Sequence, residues 1–210
     1  TAAVTSTAVL LMVIMTGAEL FTGNCLITIS VLSKKTTLSK MLRNLVIVYI
    51  GNFAGSVLVA AGCAYAGQLN YSSGALAVLT IKIAAAKCTL PFGNAVVLGI
   101  FCNILVCVAV MLALCAKDAA GRAIGAYIPI SIFVICGFEH CVANMYFIPA
   151  GLFALQIPKY AALAASAGID VSVLTWGNFF AVNLLPVTLG NVIGGAAFAA
   201  SMWFCHQKAQ

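Results

Sequence analysis

A pattern of glycine, acid and asparagine occurs twice in this chain, and each time it interrupts an apolar run. Gly17, Glu19 and Asn24 recur 120 positions later as Gly137, Glu139 and Asn144. A second set follows each cluster: Asn44, Gly51, Asn52 and Gly55 recur, 139 positions on, as Asn183, Gly190, Asn191 and Gly194. Order and interval hold across all these positions. Polar, helix-breaking clusters inside hydrophobic segments, repeated in two halves, are the mark of broken membrane helices in a duplicated transporter or channel.

The rest of the chain agrees with a bilayer. Hydrophobic residues make up 64% of it and charged residues 7%, against roughly 25% charged in a soluble domain. Length therefore counts spans, and five or six crossings of about 20 residues each fit, with no room for a soluble domain. The net charge of +6 is spread singly or in pairs at the ends of apolar runs, as membrane anchoring requires, and is no nucleic-acid signal. The nine cysteines contain no two-residue-spaced pair. Metal and haem attachment are not expected, and these cysteines read as small hydrophobes that help helices pack.

The apolar runs cover 2–16, 25–32, 45–65, 95–116, 123–136, 141–155 and 179–204. The short ones pair around the breaks, 2–16 with 25–32 and 123–136 with 141–155, giving two spans with non-helical backbone at membrane depth. The chain thus reads as one channel domain over 1–210. Residues 1–65 form a first half-repeat, 66–94 an external loop or lid, and 95–210 the second half-repeat. Because a full span, 95–116, precedes the second broken one, the repeat predicts a corresponding helix ahead of the first. Three crossings per half would then invert one half against the other. Lys34, Lys35, Lys40, Arg43, Lys117, Arg122 and Lys208 fall on one side of this topology, and Lys82, Lys87 and Lys159 on the other. That bias makes the first side, with the C-terminus, cytoplasmic.

Glu19 and Glu139 are the acids at membrane depth. Each is expected to accept hydrogen bonds from backbone freed at its break, a fixing role rather than proton transfer. Asn24, Asn144, Asn52 and Asn191 are expected to support the breaks, and the adjacent GxxxG pairs to let helices approach closely. His140 stands out because its counterpart is Leu20. In mid-span, in a segment that cannot be regular helix, its imidazole is expected to face a cavity, donate a hydrogen bond to an anion, and exchange a proton near physiological pH. Leu10, Leu20, Phe21 and Phe133, beside unwound backbone, are expected to form apolar constrictions.

The stretches GFEHCVANM at 137–145, NLLPVTLGNVIGG at 183–195, TGAELFTGN at 16–24 and YIGNFAGS at 49–56 resemble the formate/nitrite transporter family over the whole chain. The resemblance implies an aquaporin-like, all-α inverted repeat of three plus three helices with two broken ones, assembled as a pentamer in which each protomer has its own pore. It implies passage of small monovalent anions of weak acids such as hydrosulfide, formate and nitrite, in the inner membrane of a prokaryotic cell and without a cofactor. By the same match His140 is the central histidine, Glu139 its neighbouring acid, Asn103 an asparagine partner and Lys87 the pore lysine. Leu20, Phe21 and Thr22 would lie at the cytoplasmic slit, and Leu10 and Phe133 at the outer one. Ser6 stands where formate members carry an aromatic, which suits a smaller, softer anion and brings the chain nearest the hydrosulfide channel branch.

A bare charge at the bilayer centre costs between about 3 and 17 kcal/mol, and two routes lower that cost. Donors at His140, Thr22 and Asn103 replace part of the hydration shell while Lys87 draws anions in, or His140 gives up a proton so that the weak acid crosses uncharged. The second is the expectation for weak acids. Two other proteins of this composition are a membrane enzyme, for which neither break offers a nucleophile or metal-ligand set, and a closed structural protein without flux. A third, a water or glycerol channel, would lack the lysine and histidine.

Overall fold

A computed structural model describes the backbone of residues 2–208 and the side chains of 6–207. All regular structure among these residues is helical. In chain order the α-helices are α1 (Ala2–Thr16), α2 (Ile27–Leu32), α3 (Leu38–Tyr65), α4 (Ala75–Lys87) and α5 (Phe92–Cys115), followed by α6 (Ala119–Ile135), α7 (Cys141–Leu155), α8 (Pro158–Ser166), α9 (Trp176–Asn178) and α10 (Leu185–Lys208). A 3-10 turn, Gly23–Leu26, leads into α2, and a π turn, Phe179–Leu184, joins α9 to α10.

Both breaks close in the same way. After α1 and after α6 a glycine turns left-handed, Gly17 at φ 73° and Gly137 at φ 67°, a conformation without steric cost only for glycine. The next residue then reaches back five positions: Ala18 N–H donates to the Val13 carbonyl at 3.1 Å, and Phe138 N–H to the Phe133 carbonyl at 3.0 Å. This closure satisfies carbonyls that the helix end would otherwise orphan. The chain resumes as helix only at Gly23 in the first half and at Cys141 in the second.

Four segments among the described residues, α3, the run Gln68–Lys87, α5 and the run Trp176–Gln207, are long and apolar enough to cross a membrane. Large apolar residues such as Val46, Ile47, Ile50, Leu58 and Val59 stand exposed along α3, as lipid-facing positions do. Residues 66–94 differ from the loop expected. They contain α4, an alanine-rich segment of good helix formers that buries Ala77, Ile81 and Ala84 and packs on α7. Gly151 of α7 makes room for this contact, since a Cβ there would strike Ala84. Likewise 156–177, between the apolar runs 141–155 and 179–204, carries α8, bent 99° from α7.

The tightest seam joins α5 to α10, which run parallel. Gly190 and Gly194 lie directly on the Val96 and Ile100 carbonyls, and Gly99 on the Val187 carbonyl, leaving no space for a Cβ. Such backbone contact is what small residues supply in lipid, where no hydrophobic force draws helices together. Their first-half counterparts, Gly51 and Gly55, meet nothing within 4 Å, so the equivalent groove along α3 is open among the described residues. The arrangement is the aquaporin-like one expected, with two broken helices at its centre. Replacing Gly190 or Gly194 with Leu is expected to destabilise the fold by about 3 kcal/mol, the upper end of overpacking costs, read as a lowered unfolding temperature in detergent.

Candidate functional site

At each break the repeated residues form the same network. In the first half Glu19 Oε2 accepts from Asn24 Nδ2 and Asn44 Nδ2, both at 2.9 Å, while Asn24 Nδ2 also donates to Asn44 Oδ1 at 2.8 Å. In the second half Glu139 Oε2 accepts from Asn144 Nδ2 at 2.6 Å and Asn183 Nδ2 at 3.4 Å, while Asn144 Nδ2 donates to Asn183 Oδ1 at 2.7 Å. A further carboxamide bridges each unwound backbone. Asn52 Nδ2 donates to the Glu19 carbonyl (3.1 Å) and Asn52 Oδ1 accepts from Phe21 N–H (3.0 Å). Asn191 Nδ2 donates to the carbonyls of Glu139 (2.9 Å) and Gly99 (2.8 Å), and Asn191 Oδ1 accepts from Cys141 N–H (2.9 Å). Buried backbone groups without helical partners are thereby paired.

Between the groups that Asn191 holds sits His140, the N-cap of α7. Its Nδ1 accepts from Ala143 N–H at 3.0 Å, and its Nε2 lies 2.9 Å from Thr22 Oγ1. A nitrogen that accepts from a backbone N–H carries no proton, so the neutral ring holds its hydrogen at Nε2 and donates it to Thr22. The threonine hydroxyl hydrogen is then directed away from the ring. Two breaks far apart in sequence thus meet at one imidazole–hydroxyl contact.

Two cavities flank this contact. One, about 390 Å³, is lined by Ser6, Leu10, Leu20, Phe133, His140 and Phe147 among others, and lies toward the side bearing 66–94. The other, about 300 Å³, is lined by Leu10, Gly17, Leu20, Asn24, Val110 and Leu114, among others, on the opposite side. Leu10, Val13 and Leu20 border both. They form an apolar septum between two wider spaces, with the His140 ring on one face. A larger apolar groove of about 570 Å³, beside Tyr49, Phe53 and Phe180, contains no residue of this path.

Five residues expected on the path, Thr22, Glu139, Phe21, Asn103 and Lys87, line neither cavity, Thr22 being fully buried against His140. Phe21 borders neither cavity; it is buried edge-on against Tyr49, with ring centroids 4.8 Å apart. Asn103 lies in the α5–α10 seam, its Nδ2 donating to the Asn191 carbonyl at 2.6 Å. Lys87, at the end of α4, bonds Glu139 Oε1 at 2.8 Å and stands 5.9 Å from the centre of the Phe147 ring, which lines the cavity while Lys87 does not. Glu139 therefore receives hydrogen bonds from three donors, Lys87, Asn144 and Asn183. Glu19 is exposed and has no cation partner among the described residues. Asn44 and Asn183 complete the clusters and were not among the expected site residues; the repeat spacing alone carried their signal. Among the described residues no three His, Cys, Asp or Glu side chains gather as a metal site. Glu139→Gln is expected to cost about 3 kcal/mol by leaving the Lys87 charge unpaired, with most of the loss recovered by adding Lys87→Met, measured as thermal unfolding of single and double variants.

Known proteins share this arrangement. Residues 1–205 match the formate/nitrite transporter family. A probable formate transporter of Methanothermobacter thermautotrophicus is 39% identical over 214 residues, covering 95% of this chain and 72% of that protein. The formate channel FocA of Haemophilus influenzae is 37% identical, over 89% of this chain and 66% of its own length, so the chain spans about two thirds of that relative. Among solved structures, a pentameric formate channel with formate bound superposes with a TM-score of 0.83 at 32% identity, covering 96% of this chain and 79% of the other. An ion channel of the same family gives 0.78 at 28% identity, covering 93% and 72%. These relatives are channels and transporters, not enzymes. With paired breaks, a septum and a matching family profile over nearly its full length, the chain belongs to the formate/nitrite transporter family.

Proposed function

We propose that the chain is a membrane channel for small monovalent anions of weak acids, with formate as the first substrate and the pentamer as its assembly. The observation that carries this reading is the His140 ring, hydrogen-bonded to Thr22 behind it, on the wall of a largely apolar cavity. An anion arriving there competes with Thr22 Oγ1 for the Nε2–H and meets the positive end of α7 behind the ring. These donors replace part of the hydration shell before the septum of Leu10, Val13 and Leu20. Divalent anions are excluded, because the Born cost of dehydration rises with the square of charge to about four times that of a monovalent ion. By the charge bias of the loops, the protein resides in an inner membrane with its C-terminus in the cytoplasm.

The ring geometry supports the hydrogen-bonding route over direct proton donation. Giving up Nε2–H while Nδ1 is unprotonated would leave an imidazolate, so a proton must first enter at Nδ1. That displaces the bond from Ala143 N–H and uncaps α7. Proton transfer to the weak acid is therefore tied to acidic conditions and to a change at the start of α7, whereas hydrogen-bond donation needs neither.

A second permeant is supported by one observation. Ser6, small and polar, lines the outer cavity, leaving room for a soft anion such as hydrosulfide, and nitrite is of similar size. Flux of formate, hydrosulfide, nitrite and glycerol into proteoliposomes separates the readings: the channel passes the anions in competition with one another and excludes glycerol. Glycerol swelling without anion flux, or no flux at all, would overturn it. His140→Asn retains a side chain able to cap α7 and removes the ring that takes up a proton under acid, so flux is expected to persist with its change on acidification lost; an unchanged pH profile in the same vesicles refutes the role given to the imidazole.

A further inference from the structure

The two bridging carboxamides do more than close the breaks. Asn52 bonds the carbonyl before Leu20 and the N–H after it; Asn191 bonds the carbonyl before His140 and the N–H after it. Each amide thus straddles one residue, and the two straddled residues occupy equivalent places in the repeat. Both straddled side chains line the same 390 Å³ cavity. One is the septum leucine and the other the imidazole.

We infer that Asn52 and Asn191 are positioning residues with separate tasks, Asn52 setting how tightly Leu20 closes the septum and Asn191 setting the orientation of the His140 ring. The inference deepens the channel reading and rests on it. Fixing the peptide planes on either side of a residue fixes the direction of its Cα–Cβ bond, so a side chain at positions 20 or 140 enters the cavity at one angle only. Asn191 is itself fully buried and held by Asn103 through its carbonyl, and by Gly99 through its amide. Asn52 is half-buried, with no further partner at its amide among the described residues. The imidazole is therefore held more rigidly than the leucine, as suits one fixed donor and one movable gate. No other charge confuses the assignment. The cavity wall, drawn from α1, α3, α5, α6 and α7, contains His140 and Tyr146 as its titratable residues, and Lys87 and Glu139 are paired to each other behind Phe147.

The test compares Asn52→Ala and Asn191→Ser with the unaltered protein in proteoliposomes, after gel filtration shows equal oligomer size. Asn52→Ala is expected to reduce exclusion of glycerol relative to formate about tenfold, the factor that the two hydrogen bonds lost around Leu20 support, with the pH profile unmoved. Asn191→Ser is expected to shift or flatten the pH profile while exclusion is kept. Nitrogen-15 NMR of the ring, in a His206→Gln background that leaves His140 as the single histidine, is expected to show the Nε2–H tautomer and to lose that preference in Asn191→Ser. Variants that lower all fluxes in proportion, with selectivity, pH profile and tautomer unchanged, overturn the inference. If Asn191→Ser fails to assemble, unchanged exclusion in Asn52→Ala overturns it alone. Absence of anion flux in the unaltered protein instead overturns the channel reading, and the NMR measurement still reports on the Asn191 clamp.

Discussion

Backbone hydrogen bonding in a medium without water is the constraint on which everything else in this fold depends. Each break unwinds several residues at membrane depth, and an unpaired N–H or carbonyl there costs several kcal/mol. The chain meets that demand with carboxamides, which donate and accept from a single side chain. Asn52 and Asn191 take over the backbone groups directly. Asn24 with Asn44, and Asn144 with Asn183, hold the glutamate whose backbone carbonyl is being bridged. The helix closures at Gly17 and Gly137 complete the pairing, so that the openings persist without exposing polar backbone to lipid.

Once the breaks are stable, function follows from where the two copies differ. Position 20 carries leucine and position 140 histidine, and the same wall therefore presents a septum on one side and a donor on the other. The second difference is electrostatic. Glu139 is buried and paired with Lys87, whereas Glu19 is exposed and without a cation among the described residues. The ion pair brings two opposite charges together at 2.8 Å, so that their fields largely cancel beyond it. A third difference lies in α10. Pro186 cannot donate to the preceding turn, the π turn Phe179–Leu184 lies just before it, and Asn183 within that turn reaches both Glu139 and the Lys87 carbonyl. The corresponding stretch of α3, which has Ile47 in place of the proline, is ordinary helix.

Much of this was legible before any coordinates. Two repeated clusters marked both breaks to the residue, because glycine and asparagine in an apolar run have few other uses. Composition assigned the chain to the membrane, and His140, a polar residue where the first copy has Leu20, pointed to the cavity wall it lines. The failures share a cause. Residues 66–94 contain lysines, serines and a proline and read as a loop, yet the alanines of α4 find a groove on α7 that sequence periodicity does not reveal. Lys87 read as a free attractant because its partner is 52 positions away. Phe21 and Asn103 sit next to path residues in sequence or space but point into helix seams, and neighbouring residues on an unwound segment face in directions that no period specifies.

Alone, the sequence determined the duplicated broken-helix architecture and the chemistry available at its centre, since hydrophobic length and helix-breaking residues act locally and leave a local record. Which of those side chains reach the cavity was decided only by the packing of helices on one another. That packing turned Asn103 and Phe21 into structural contacts, tied Lys87 to Glu139, and brought Thr22 within 2.9 Å of a histidine 118 residues away, because side-chain direction at a break is set by partners from other helices and not by the chain's own period.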